Sequence, residues 1–392
     1  MSAAAGPVTT RAGRLARVRV MAVVGVRMML HDRLKSVGTL LGVVFATLLS
    51  NQQLGTFLGL LQKNVMVVQN VEADLWVIPR GLPTLQDTAP MSIAALHRAR
   101  TTPGVAWAEP LLYGGAAVKV AGRSTEPITV MGARLPRLAG GPWNVVAGSP
   151  RDLARPDAMF FEDSQRDRLG GINLGSVREV NGHRVRAVGF TWGLLPFGPP
   201  FAFAEFDTAR SLLRIDADQT HFVIAGVAPG TSVEAARAAL QARVPDAEVL
   251  TRAQFESKIV RYLLTGTAIG ISFGTSTLFA LIVGFVIVGL TMFSAVVDNL
   301  REFGTLKAVG ATNTDLAVIL LVQSVCFALA GSLVGLTLVT GMAGGIRSAD
   351  LALVLPPQLF AGTAAAMVAL CVTASSLALL RVRSVEPGMV FR

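Results

Sequence analysis

Residues 262–297 read YLLTGTAIGISFGTSTLFALIVGFVIVGLTMFSAVV, 36 consecutive residues without Asp, Glu, Lys or Arg. A bilayer core about 30 Å thick is crossed by roughly 20 apolar residues in helical form. Helices satisfy every backbone group internally, as lipid requires. At 1.5 Å per residue this run would reach about 54 Å. It therefore predicts a span prolonged by a helical stalk. Residues 36–62, 316–346 and 351–380 are equally free of charge. Their spacing decides the architecture, because about 200 polar, Gly- and Pro-bearing residues separate the first run from the second and only short segments separate the rest. The expected fold is one span, a large domain, then three closely spaced spans.

Composition agrees. Charged residues make up 15% of the chain, and mean hydropathy is +0.55, which excludes disorder and points to the membrane class. The net charge of +10 is unevenly placed. Residues 1–36 hold seven basic side chains (Arg11, Arg14, Arg17, Arg19, Arg27, Arg33, Lys35) against Asp32, whereas 63–261 hold 22 basic and 19 acidic ones. Basic residues bunched before a first span predict a cytoplasmic N-terminus rather than nucleic-acid binding. With four spans, the C-terminus and residues 298–315 are then also cytoplasmic, and 63–260 lies outside. The apolar run from residue 37 is too long for a signal-peptide core and has no clear A-x-A site. Residues 11–30 mix basic and apolar positions as an interfacial amphipathic helix does. Cys326 and Cys371 fall in spans and read as small packing residues.

Within the inserted domain, Leu75–Ile78, Ala117–Val120, Ile128–Met131, Val185–Phe190 and His221–Val227 read as strands. Ser92–Arg100, Phe206–Arg214 and Ser232–Arg243 read as helices, the last with Thr231 or Ser232 as its cap. Asn181-Gly182 between apolar runs marks a hairpin. Interleaved hairpins and helices predict an α+β domain.

The chain has no G-x-x-x-x-G-K-[ST], H-E-x-x-H, C-x-x-C or G-x-S-x-G. His31, His97, His183 and His221 have no metal-ligand spacing, and no ionisable residue interrupts a span. Catalytic and metal residues are expected to be none. The strongest local pattern is Arg301-Glu302-Phe303-Gly304-Thr305-Leu306-Lys307-Ala308-Val309-Gly310-Ala311-Thr312 at the end of the second span. It predicts a short amphipathic helix closed by Gly310 as a left-handed C-cap.

The pattern E-x-x-x-L-K-A-x-G-A resembles the coupling-helix motif of ABC-transporter permeases of the MacB, FtsX and LolC/LolE superfamily, and the resemblance covers nearly the whole chain. The chain looks closest to DevC-like exporter permeases. Asn51-Gln52-Gln53-Leu54-Gly55, Ala73-Asp74-Leu75-Trp76-Val77 and the tail Val385–Arg392 support it. The resemblance implies a cytoplasmic N-terminal segment (1–36), span 37–62, a periplasmic MacB-like α+β domain (63–260) and span 261–297. It further implies a coupling loop (298–315), span 316–342, a short external loop (343–356), span 357–380 and a cytoplasmic tail (381–392). The fold class is thus a membrane protein of four transmembrane α-helices with a large α+β extracytoplasmic domain between the first and second.

The implied function is an export permease in the bacterial inner membrane, itself non-catalytic. A separate ATPase subunit would bind ATP and Mg, and Arg301, Glu302, Phe303, Leu306, Lys307 and Gly310 would couple to it. A membrane-fusion-type periplasmic adaptor, an outer-membrane channel, membrane lipid and a second copy are the other implied partners. The implied cargo is a lipid, glycolipid or other amphiphile. Alternatives are an FtsX-like regulator of a cell-wall hydrolase and a lipoprotein-releasing permease. Two further patches carry open readings. Trp192, Leu195, Phe197 and Phe201, in a Pro-rich apolar stretch, form either a partner or cargo surface or a rigid packed loop. Asn51, Gln52 and Gln53 make either a lateral substrate contact or helix–helix hydrogen bonds.

Overall fold

The computed structural model describes residues 11–31, 33–120, 125–194, 198–298, 300–345 and 353–383. They form two compact units: residues 57–271, and the remainder.

The membrane unit contains α1 (Arg11–His31), the first part of α2 (Arg33–Asn70), and, after the inserted domain, helical residues 272–298, 300–308, 313–345 and 357–383. Four helices are long and apolar enough to cross a membrane: Ser36–Asn70, Ala268–Thr291, Asn313–Ala343 and Pro357–Leu377. Without a hydrophobic drive between helices in lipid, close packing and polar contacts must hold such a bundle. Small residues supply the first. A Cβ on Gly331 would lie 2.6 Å from Val43 Cγ1, and one on Gly284 would lie 2.5 Å from Ala46 Cβ. The second span thus crosses α2 at Ala46, and the third crosses it at Val43. Ser324 and Ser375 share a hydrogen bond between the third and fourth spans.

The inserted domain is built on strands β1 (Leu75–Pro79), β2 (Met91–Ser92), β3 (Val105–Lys119), β4 (Thr125–Ala133), β5 (Val145–Ala147), β6 (Ala158–Glu162), β7 (Val177–Val180), β8 (His183–Thr191), β9 (Phe201–Glu205), β10 (Gln219–Thr220), β11 (Phe222–Val227) and β12 (Ala247–Thr251). Its helices are α3 (Ala94–Arg100), α4 (Phe206–Leu213), α5 (Val233–Arg243) and α6 (Arg252–Thr265). The main sheet runs β12-β1-β11-β3-β4-β9-β6-β8-β5, with β7 pairing both β3 and β8. Among the described residues, only the β4–β9 and β6–β8 pairs are parallel. Period-2 alternation sends neighbouring residues to opposite faces. Leu111, Phe160 and Trp76 enter one core, while Leu112 and Phe161 enter a second and Leu75 a third. The end of α2 adds Val65 and Val68 to the first core, and α6 adds Phe255, Ile259 and Leu263 from one face.

Asn181 (φ 47°) and Gly182 (φ 89°) both take positive φ between β7 and β8, the geometry of a tight hairpin turn. Ser232 caps α5 by accepting the Ala235 amide at 3.2 Å. Three expectations are corrected. The strand foreseen at Ala117–Val120 is the end of the 15-residue β3, whose Gly114-Gly115 pair hides it from a propensity reading. The helix foreseen from Ser92 starts at Ala94, because Ser92 pairs with Gln219. The stalk of span two is a separate helix: α6 stops at Thr265, Gly266 donates to Tyr262 O at 2.7 Å, and α7 (Ala268–Asp298) starts afresh. There the Thr267 hydroxyl accepts the Gly270 amide at 3.4 Å.

His221 is buried and accepts the Tyr113 amide on Nδ1 at 3.2 Å. Burial pushes its pKa down to about 4. The native state holds it neutral, while the unfolded chain takes up its proton below about pH 6.5. Its contribution is therefore complete above pH 6.5 and lost as pH falls towards 4, an upper limit of about 3 kcal/mol. Thermal unfolding of the intact protein at pH 7 and pH 4.5 should show the acid loss, and His221→Gln should flatten it.

Candidate functional site

The segment after the second span folds into α8 (Leu300–Ala308), a short turn, and α9 (Asn313–Gly345). Gly310 takes φ 103°, which a Cβ would resist. Ala311 N–H donates to Leu306 O at 2.8 Å, and Gly310 N–H donates to Lys307 O at 3.0 Å. This is a Schellman closure, with Leu306 and Ala311 as its apolar pair. The next residues open α9 with a reciprocal cap. Asp315 Oδ2 accepts the Thr312 amide (2.7 Å) and hydroxyl (2.6 Å), and the Asp315 amide donates to Thr312 Oγ1 at 3.3 Å. A C-cap and an N-cap thus stand back to back, and the turn has little freedom.

Phe303 is 2% exposed and lies in one buried cluster with Val43, Val288, Leu316 and Ile319; Leu306 is partly buried against that cluster. Both hold α8 on the bundle. Expecting Phe303 to seat in a partner's groove is therefore corrected: a Phe at 2% exposure has no surface to offer. Glu302 and Thr305 are exposed, Lys307 is half-buried, and Val309 is 89% exposed at the tip. The Arg301 side chain lies outside the described residues. Val309 is not among the six residues that the resemblance assigns to coupling.

A second partner was also missed. Arg17 on α1 donates through Nη2 to Asp315 Oδ2 (2.7 Å) and to Gly310 O (2.9 Å). Further along, Gln323 Nε2 donates to Gly25 O at 3.0 Å, and a Cβ on Gly25 would lie 3.1 Å from Ile319 O. The expected interfacial helix therefore packs along α9. The Thr312-x-x-Asp315 spacing carried the cap, but nothing in sequence linked it to a residue 298 positions away.

Asn51 is fully buried. Its Nδ2 donates to Thr47 O (2.8 Å) and Thr363 Oγ1 (3.1 Å), and the Thr363 hydroxyl donates to Asn51 Oδ1 at 3.2 Å. This joins α2 to α10 (Pro357–Arg383). Asn51 thus makes helix–helix hydrogen bonds; Gln52 and Gln53 are half-buried. One turn on, Gly55 lets the segment after residue 352 approach, and Val354 N–H donates to Gly55 O at 3.1 Å.

In the inserted domain Trp192 is 54% exposed, with its amide on Asn144 O at 3.0 Å. Phe201 is 1% exposed, packed on Trp143 and under Lys63 Nζ at 5.3 Å, which agrees with the packed reading of that residue. Leu195 and Phe197 lie outside the described residues. Glu162 holds the start of this stretch by accepting the Thr191 hydroxyl (3.0 Å) and the Gly193 amide (2.9 Å). Burial pushes its carboxyl above the usual range, which the hydrogen bonds from Thr191, Ser164, Gly193 and Leu194 only partly offset. Lys63 Nζ reaches Pro199 O, at the far end, at 3.3 Å. Among the described residues, no three His, Cys, Asp or Glu side chains converge as a metal site.

Four apolar helices, a large mixed-sheet domain inserted after the first, and a capped helix–turn after the second define a multi-pass membrane protein of permease type. Residues 36–243 match the MacB-like periplasmic core domain and residues 271–387 match the FtsX-like permease C-terminal domain. The first match alone covers over half of the chain, which belongs to the MacB/FtsX family of ABC transporter permeases. Uncharacterized ABC transporter permeases from two strains of Mycobacterium tuberculosis are 25% identical over 330 residues, covering 83% of this chain and 86% of theirs. Solved structures share weaker likeness. The extracellular domain of the noncanonic ABC-type transporter YknZ from Gram-positive bacteria is 12% identical (TM-score 0.33, 45% of this chain, 98% of that one). The periplasmic region of MacB from Actinobacillus actinomycetemcomitans is 8% identical (TM-score 0.37, 51% and 97%). A domain of a putative permease from Porphyromonas gingivalis is 16% identical (TM-score 0.32, 47% and 89%). The family implies an ATPase partner.

Proposed function

We propose that this chain is the permease subunit of an exporter that couples ATP hydrolysis in a separate ATPase chain to movement of its inserted domain. Its cargo is a lipid, glycolipid or other amphiphile, handed on with a periplasmic adaptor and an outer-membrane channel. In this reading two copies sit in the bacterial inner membrane with both termini cytoplasmic. ATP and Mg belong to the ATPase, and this chain performs no covalent chemistry. One observation carries the reading. A helix fixed to the bundle by Phe303 and Leu306 presents an apolar tip, Val309, 89% exposed and next to its Gly310 C-cap. An exposed valine on a rigid protrusion suits a partner's apolar groove, and Glu302 on the same helix suits a charged rim.

The test is affinity purification of the tagged full chain in mild detergent, with mass spectrometry of its partners. The wild type should bring down an ATPase and a membrane-fusion-type adaptor. Val309→Asp should accumulate normally and lose about tenfold or more of the ATPase, the scale of a charge forced into an apolar contact. Equal recovery with Val309→Asp would remove α8 from the ATPase interface. A cell-wall hydrolase activator in place of the adaptor would replace export with regulation, and a lipoprotein chaperone would make the chain a releasing permease.

A further inference from the structure

We propose that Arg17 is a positioning residue of the coupling turn, making the N-terminal helix α1 a working part of the coupling segment; this rests on the assignment of α8 to the ATPase interface. The turn between α8 and α9 has one articulation, Gly310-Ala311-Thr312, and within it Gly310 alone has positive φ. For α8 to change its angle to α9, these dihedrals must change. Any such change moves Gly310 O relative to Asp315 Oδ2. One nitrogen of Arg17 holds both oxygens, at 2.9 Å and 2.7 Å. Movement of α8 must therefore break that contact or carry α1 with it.

The remainder of α1 is placed to resist. Met21, Val24 and Met28, at spacings of three and four, pack on the same buried cluster as Phe303. The Gly25–Gln323 bond lies eight residues after Arg17 on one helix and eight after Asp315 on the other. The anchorages are thus in register, about 12 Å apart on two helices running the same way. That is a brace with fixed length. Val18, Val20, Val23 and Leu30 of α1 are exposed. Arg17 is itself half-exposed (46%), and Asp315, 10% exposed, keeps its Thr312 amide and hydroxyl contacts without it. Its loss should leave the bundle intact and act on the geometry of the turn.

The experiment compares wild type, Arg17→Gln, Arg17→Lys, Asp315→Asn and the Arg17→Gln/Asp315→Asn double variant, each full-length and purified with its ATPase in nanodiscs. Asn at 315 can still accept the Thr312 amide, so the α9 cap survives. Arg17→Gln should recover the ATPase at wild-type stoichiometry. Its permease-dependent ATP turnover should fall about tenfold with the KM for ATP unchanged. Arg17→Lys should regain part of that loss, and the double variant should be no worse than Arg17→Gln alone. A purely structural role would instead lower ATPase recovery. Hydrogen exchange of the full chain without ATPase gives a readout independent of any partner. In Arg17→Gln the amides of Ala311 and Thr312 should exchange faster while those at the centre of α9 stay unchanged. Unchanged exchange, turnover within twofold of wild type, or additive losses in the double variant would each overturn the proposal. If Val309→Asp leaves ATPase recovery and turnover unaltered while Arg17→Gln still speeds exchange, the α8 interface fails and the brace stands.

Discussion

Gly335→Leu should abolish accumulation of the protein in the membrane. A Cβ at this position would lie 2.8 Å from Thr47 Cβ and 3.0 Å from Val44 O, the latter a backbone atom that cannot rotate away. One turn earlier, a Cβ on Gly331 would meet Val43 Cγ1 at 2.6 Å and the Val44 amide nitrogen at 3.4 Å. The third span thus lies directly on the backbone of the first through two glycines four residues apart. Leucine adds three further carbons to the clash. Overpacking of this kind costs about 1–3 kcal/mol where neighbours can shift, and more where the obstacle is main chain. The third span also carries the Ser324–Ser375 bond to the fourth and the Asp315 cap that holds the coupling turn, so its displacement spreads. Gly341→Leu is the control, because nothing lies within 4 Å of the corresponding Cβ in the same helix. Membrane accumulation and thermal unfolding in detergent should separate the two variants sharply. Equal behaviour would mean that the crossing of α2 and α9 is not the contact that holds the bundle.

Such a contact marks where the sequence stops being legible. Span number and the place of the inserted domain follow from runs without charge, since lipid penalises any interruption strongly. The hairpin at Asn181-Gly182 and the cap at Gly310 were readable because only a few residues tolerate positive φ. Those features are local. What depends on a partner far along the chain was not readable. Asn51 leaves two readings open in sequence, and its partner Thr363 is 312 positions away. Phe201 sits in a Pro-rich apolar stretch that resembles a surface patch, yet as part of β9 it enters the core between Trp143 and Tyr113. The continuous helix expected at 262–297 failed for a subtler reason. Gly266 and Thr267 are apolar enough to pass as membrane residues, and only the Gly270 amide on Thr267 Oγ1 reveals a helix start.

Within the coupling segment the same ambiguity separates two apolar residues of opposite role. Phe303→Ala should loosen α8 from the bundle, because a buried Phe truncated to Ala costs about 3–5 kcal/mol where the cavity cannot collapse. That cost falls on one nine-residue helix. Such a helix is too short to hold its shape without packing, so the loss exceeds what Leu306, only partly buried, can offset. Limited proteolysis should then cut near residues 300–308 in the variant and spare them in the wild type. ATPase recovery should fall with it, since a helix without a fixed base presents no fixed tip. Val309→Asp should show the reverse: protease resistance like wild type with ATPase recovery lost. If Phe303→Ala keeps both protease resistance and recovery, the anchor lies elsewhere, in the Gly310 closure and the Arg17 brace alone. If Val309→Asp becomes protease-sensitive, the tip is part of the fold after all, and its 89% exposure does not mark a partner surface.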